Sequence, residues 1–127
     1  MTARAVLEHG GMIVHVEGDY SPGEVRHAVV GGLFSQEFQL PGAMLFDSRR
    51  ARAAPTSELL DESLKLLRAL FQNGIASRCA VIAAKDRVPL ARDLQTLLRE
   101  AGNDLEILTT LEEGKAWLKT AAAHTGV

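Results

Sequence analysis

The stretch Ala43-Met44-Leu45-Phe46-Asp47, with Ser48-Arg49-Arg50-Ala51-Arg52-Ala53-Ala54 and Pro55-Thr56-Ser57-Glu58 after it, decides how the rest of the chain is read. A run that is apolar until its last residue describes a strand covered on both faces. The next segment carries three arginines and reads as a loop. Thr56 and Ser57 can cap a helix, and Glu58 suits its first turn. Leu59, Leu60, Leu64, Leu67, Leu70 and Phe71 then recur at helical spacing, with Glu58, Asp61, Glu62, Lys65 and Arg68 on the outer side. Asn73-Gly74 ends that helix, predicted over residues 55–72. Strand, basic loop and amphipathic helix make one β-α unit.

Working towards the N-terminus, Pro41-Gly42 closes the preceding loop. Ser21-Pro22-Gly23-Glu24 is a helix start, with Ser21 as cap, Pro22 at the first helical position and Glu24 completing a capping box. Val25, Ala28, Val29 and Leu33 carry that helix inward. Gly31-Gly32 either weakens its end, by about 1 kcal/mol per glycine relative to alanine, or allows close packing on the sheet. Arg4 to His9 reads as a short edge strand, with Gly10-Gly11 as a hairpin turn. In Met12-Ile13-Val14-His15-Val16-Glu17, alternation places Met12, Val14 and Val16 on one face and Ile13, His15 and Glu17 on the other. His15 reads as the polar member of a less buried face rather than as a ligand.

Towards the C-terminus, Arg78 to Ala84 is a second buried strand. Lys85-Asp86-Arg87-Val88 leads into a helix with Pro89 near its first turn. Leu90, Leu94, Leu97, Leu98 and Ala101 form its inner stripe, and Gly102 ends it. Leu105 to Leu108 is a short last strand. Thr109 or Thr110 caps the final helix, which Trp117 and Leu118 pack down, and residues 121–127 read as a loose tail. The order β-β-α-β-α-β-α-β-α implies an α/β fold with a single layer of about five mostly parallel strands, an N-terminal antiparallel strand and four helices.

The chain has 127 residues, 46% apolar and 24% charged, with a net charge of −2. These values fit one globular domain, here residues 1–120, and supply no overall field for nucleic acid or acidic lipid. The single cysteine, Cys79, cannot form an internal disulfide or a Cys-based zinc site. No N-terminal apolar run resembles a signal peptide, and no window approaches a membrane span. The expectation is a cytoplasmic protein without integral membrane association. Nucleotide-binding glycine motifs and a Gly-x-Ser-x-Gly elbow are absent, the four histidines lack metal-ligand spacing, and aromatics do not interleave with the basic loop. The expected cofactor and metal set is empty, no nucleic-acid partner is expected, and the chain is read as non-enzymatic.

An opening hairpin followed by α-β units and a last helix resembles the STAS domains, bacterial modules that include the SpoIIAA-like anti-sigma-factor antagonists and small SpoIIAA-like proteins related to lipid carriers. Two stretches carry the resemblance: Leu45-Phe46-Asp47 before its loop and helix, and the ending Asp104-Leu105-Glu106-Ile107-Leu108-Thr109-Thr110-Leu111-Glu112-Glu113-Gly114-Lys115-Ala116-Trp117-Leu118. The antagonists carry Asp-Ser-Ser-Gly or Asp-Ser-Thr-Gly at the helix start after the third strand, with a phosphorylated hydroxyl. The corresponding Ala54-Pro55-Thr56-Ser57-Glu58 keeps hydroxyls and lacks the aspartate and glycine. Thr56 and Ser57 are therefore the candidate phosphorylation positions, with N-capping as the plainer role.

Asp47, Ser48, Arg49, Arg50 and Arg52 are the candidate binding residues. Arginine forks ahead of a helix N-terminus suit an anion. The alternative is a solvated loop whose arginines pair with Glu58, Asp61 or Glu62. Asp47 ends a central strand as a receiver-domain phosphoacceptor does, but the opening hairpin does not fit a receiver, and Asp47 is expected to bond loop N–H groups. Two functions follow from the resemblance and this loop. One is a regulatory module docking a protein or an acidic ligand, with a homodimer through the open first strand. The other is a small apolar ligand or lipid bound between helices and sheet.

Overall fold

The inner strands are apolar on both faces, so the sheet must be covered twice. The computed structural model, which describes residues 2–35 and 38–123, has this layering. In chain order the elements are β1 (Ala3–Glu8), β2 (Gly11–Gly18), α1 (Pro22–Leu33), β3 (Gly42–Ala51), α2 (Ser57–Gln72) and β4 (Ala76–Ile82). A single 3₁₀ turn (Lys85–Arg87), α3 (Val88–Glu100), β5 (Leu105–Leu108) and α4 (Leu111–Ala123) complete the chain. The strands lie side by side in sequence order in one five-stranded sheet. β1 and β2 are antiparallel, and every later pairing is parallel.

Sequential order explains where the helices go. The three crossovers advance in the same direction across the sheet, and right-handed crossovers then put their helices on the same face. Met12, Val14, Val16, Met44, Phe46, Cys79 and Val81 pack there in one core with residues of α1, α2 and α3. The opposite face has α4 alone. Ile13, Ala43, Leu45, Ala80 and Ile82 form a smaller core with Leu118 and Ala121 of that helix. Thirteen residues of helix extend about 20 Å. One helix cannot cover a whole sheet face, so part of this face is left for polar side chains.

The helix starts follow the sequence signals. The Ser21 hydroxyl accepts from the Glu24 N–H at 3.2 Å, and the Ser21 N–H donates to Glu24 Oε1 at 3.1 Å. Thr2 also donates to the Glu24 carboxylate. Thr56 Oγ1 accepts from the Leu59 N–H at 3.1 Å, and Thr110 Oγ1 from the Glu113 N–H at 3.1 Å. Gly32 allows close packing: a Cβ there would lie 2.7 Å from Met12 Cε and 3.2 Å from Ala5 Cβ.

Several expectations are corrected. The hairpin turn is His9-Gly10, with φ of 54° and 79°, and Gly11 already begins β2. A two-residue turn with positive φ at both positions matches the right-handed twist of the strands. β3 does not stop at Asp47 but continues to Ala51, so Ser48, Arg49 and Arg50 lie in the strand and not in a loop. Pairing of Glu17 with Arg50 and Gly18 with Ala51, after a bulge that places one extra residue on β3 past Asp47, sustains the extension. Ala101 is exposed, and Ala91 takes its place in the inner stripe of α3 with Leu94 and Leu98. The predicted tail begins too early: α4 runs to Ala123, with Ala121 buried. Residues 124–127 of that tail lie outside the described residues.

Candidate functional site

Alternation along β3 sends Ala43, Leu45, Asp47 and Arg49 to the α4 face, and the parallel register sets His15 of β2 beside Asp47. Beyond the part that α4 covers, these side chains form a polar cluster. Asp47 is 6% exposed, the one charged residue in the core among the described residues. Its carboxylate accepts from Arg49 Nε at 2.8 Å, from Arg49 Nη2 at 2.9 Å and from His15 Nδ1 at 3.0 Å. The Arg49 N–H adds a longer contact at 3.4 Å. Burial alone would push the Asp47 carboxyl up. The Arg49 hydrogen bonds and charge, with His15, outweigh it and hold the carboxyl below the usual aspartate range. With Nδ1 donating to Asp47, a neutral His15 ring keeps its Nε2 lone pair free of this contact.

A cleft of about 200 Å³ opens over the cluster, lined by Arg4, His15, Glu17, Asp47, Arg49, Arg50 and Leu111 among others. Arg50 lies at its rim. Its side chain is 79% exposed, and its pair with Glu17 is long, at 3.8 Å. Arg52 is also exposed, while its backbone N–H donates to the Gly18 carbonyl at 2.7 Å.

The predicted site residues therefore separate. Asp47 and Arg49 join each other and His15, Arg50 reaches Glu17, and Glu58, Asp61 and Glu62 form no ion pair with any of these arginines among the described residues. Ser48 leaves the group: its hydroxyl donates to the Ile82 carbonyl at 2.8 Å. Thr56 is engaged as the cap of α2, and Ser57 is that helix's exposed first residue. His15 is the residue that sequence reasoning undervalued. Its face was legible from alternation, but its neighbour across β3 depends on strand register.

A second concavity lies on the opposite sheet face, near the C-terminal ends of the parallel strands. This half-open cavity of about 90 Å³ is bordered by Val16, Phe46, Val81, Leu66, Leu67 and Leu94, with Tyr20, Ser48, Ser63 and Arg87 among its polar lining. Cys79 is fully buried, and burial pushes its thiol far up, so it is not a thiolate at neutral pH. Among the described residues no three His, Cys, Asp or Glu side chains gather as a metal site. No described helix is long and apolar enough to cross a membrane.

No family model matches the chain, and no curated protein sequence matches it. Among solved structures it is similar to an uncharacterised protein of the DUF3478 family with a SpoIIAA-like fold from Shewanella loihica PV-4. The likeness covers 91% of both chains with a TM-score of 0.53 at 14% identity. At that identity the likeness is one of fold, and it agrees with the hairpin, the parallel crossovers and the lone helix on the far face: the chain has a SpoIIAA-like α/β fold.

Proposed function

We propose that the protein is a non-enzymatic SpoIIAA-like regulatory module of the cytoplasm that docks an acidic partner, protein or small anion, through the end of β3 and the segment leading into α2. The observation that carries this reading is the exposed Arg50, whose ion pair among the described residues is one long contact to Glu17, followed by the exposed Arg52. Asp47 and Arg49 neutralise one another behind it and stiffen the strand that presents it. The non-enzymatic part rests on the same pairing. Asp47 gives its carboxylate oxygens to Arg49 and His15, which leaves a poor base and a poor nucleophile. The open outer edge of β1 gives a second copy a place to pair, which light scattering of the eluting protein would measure.

The test is an NMR titration of the isotope-labelled protein with a hepta-glutamate peptide and, separately, with O-phosphoserine, at low and at physiological salt. Shifts centred on Arg50, Arg52, Thr56 and Ser57 are expected, weakening with salt and lost in an Arg50→Ala, Arg52→Ala double variant. Shifts that persist in the double variant, or no shifts in the wild type, would reject the docking site.

The cavity beneath α1, α2 and α3 supports a second reading, a small apolar ligand held between helices and sheet. Its place outside the carboxyl ends of parallel strands is where open α/β sheets take ligands. Its volume of about 90 Å³ is far below the several hundred that a lipid chain needs, so the second reading is confined to small ligands.

A further inference from the structure

The cavity's polar residues select a ligand class, an inference that rests on the second reading above. Five described arginines or lysines have an acidic partner within 4 Å: Arg49, Arg50, Lys65, Arg99 and Lys115. Arg87 is not among them, yet it lines a mostly apolar cavity. It is the last residue of the 3₁₀ turn that runs directly into α3, where the Val88 N–H donates to the Lys85 carbonyl. Leu90 and Ala91 of the first turn of α3 lie on the same cavity wall. Tyr20 belongs to this polar group: burial raises its hydroxyl pKa, while the Arg87 charge and a hydrogen bond with Ser63 restrain the rise. A cation with no acidic partner within 4 Å among the described residues and the hydroxyls of Tyr20, Ser48 and Ser63 border a pocket whose apolar walls include Val16, Phe46, Leu67, Val81 and Leu94.

Size narrows the class further. By the same measure a water occupies about 10–15 Å³, so the roughly 90 Å³ here takes about six to nine non-hydrogen atoms. We propose that the cavity binds a small monocarboxylate with an apolar body, a short-chain or single-ring acid, its carboxylate on the Arg87 fork and the Tyr20 hydroxyl and its body against Phe46, Leu67 and Val81. A fork on a carboxylate gives two parallel hydrogen bonds, which lysine or a neutral donor would not reproduce.

Calorimetric and NMR titrations with hexanoate and benzoate, with hexan-1-ol as neutral analogue and dodecanoate as an oversized acid, test this. Hexanoate or benzoate is expected to bind with shifts at Val16, Phe46 and Val81. Hexan-1-ol should bind at least about tenfold more weakly, the factor that one charge-assisted hydrogen bond supplies, and dodecanoate more weakly than hexanoate because its chain exceeds the cavity. Arg87→Gln, at a partly exposed side chain, should lose the preference for acid over alcohol, and Leu67→Trp should exclude every probe while circular dichroism reports a folded chain. Equal binding of hexanoate and hexan-1-ol to the wild type, or unchanged hexanoate affinity in Arg87→Gln, overturns the carboxylate assignment and leaves the apolar-ligand reading standing. Failure of the wild type to take any probe overturns both.

Discussion

Removing Asp47 should destabilise the fold. In Asp47→Ala, two arginine hydrogen bonds of 2.8 and 2.9 Å and one histidine contact of 3.0 Å are lost. A hydrogen bond to a buried charge contributes roughly 1.5–3 kcal/mol net. The full sum does not apply, because the Arg49 side chain is 36% exposed and can be rehydrated once released. His15, at 20%, is solvated less easily. Together these place the loss at about 3 kcal/mol. For a chain of 127 residues, unfolding entropy makes 1 kcal/mol worth about 4 °C, so the midpoint should fall by roughly 10 °C. The pH dependence follows from the depressed carboxyl. Its stabilisation is complete above the unfolded-state value of about 4 and is lost as pH falls through the lower folded-state value. Urea unfolding at pH 7 and pH 3 should therefore show a gap between wild type and Asp47→Ala that narrows in acid. Arg49→Ala, which leaves the buried Asp47 carboxylate with His15 alone, should cost a comparable amount at pH 7, with a coupling of at least about 1 kcal/mol in the double-variant cycle. A loss below about 1 kcal/mol for Asp47→Ala, or parallel acid limbs for the two proteins, would refute the view that this cluster anchors β3.

Neighbouring glycines of α1 should respond differently: Gly31→Ala, with open space around it, should gain about 0.5–1 kcal/mol in urea unfolding, whereas Gly32→Ala, pressed on Met12, should not gain. Gly11→Ala should lose at least about 2 kcal/mol, because its Cβ would meet the Ala43 carbonyl oxygen at 2.9 Å as well as Leu118, and thermal melts will report it. Thr56→Ala should lower stability by about 1 kcal/mol through the missing cap, with Thr56→Ser recovering most of it. Cys79 should resist iodoacetamide in native protein and react fully in urea, as peptide mass mapping can show.

Much of the architecture was legible locally. The capping box at Ser21 and Glu24, the cap at Thr56, and the leucine rows of α2 and α3 are properties of short segments, and short segments form them wherever they are placed. Parity along β2 likewise put Met12, Val14 and Val16 on one face, and that face packs into the larger core. The Gly10-Gly11 turn failed by one residue because His9 adopts positive φ, which composition did not announce. The basic loop failed for a different reason. Ser48 to Ala51 have no strand pattern of their own and extend β3 only because Glu17 and Gly18 of β2 lie alongside to pair with them.

The chain itself determined which residues face which way along each strand, where each helix begins, and that two apolar sheet faces had to be covered. Tertiary structure alone decided the site. Asp47 meets His15 across a 32-residue separation set by the β2–β3 register, and Arg49 turns back on Asp47 instead of outward. Arg87 borders a cavity that exists only once three helices have packed on one face. Alternation and caps are encoded within a few residues, whereas register and cavities arise from pairings between distant segments, whose geometry no single segment specifies.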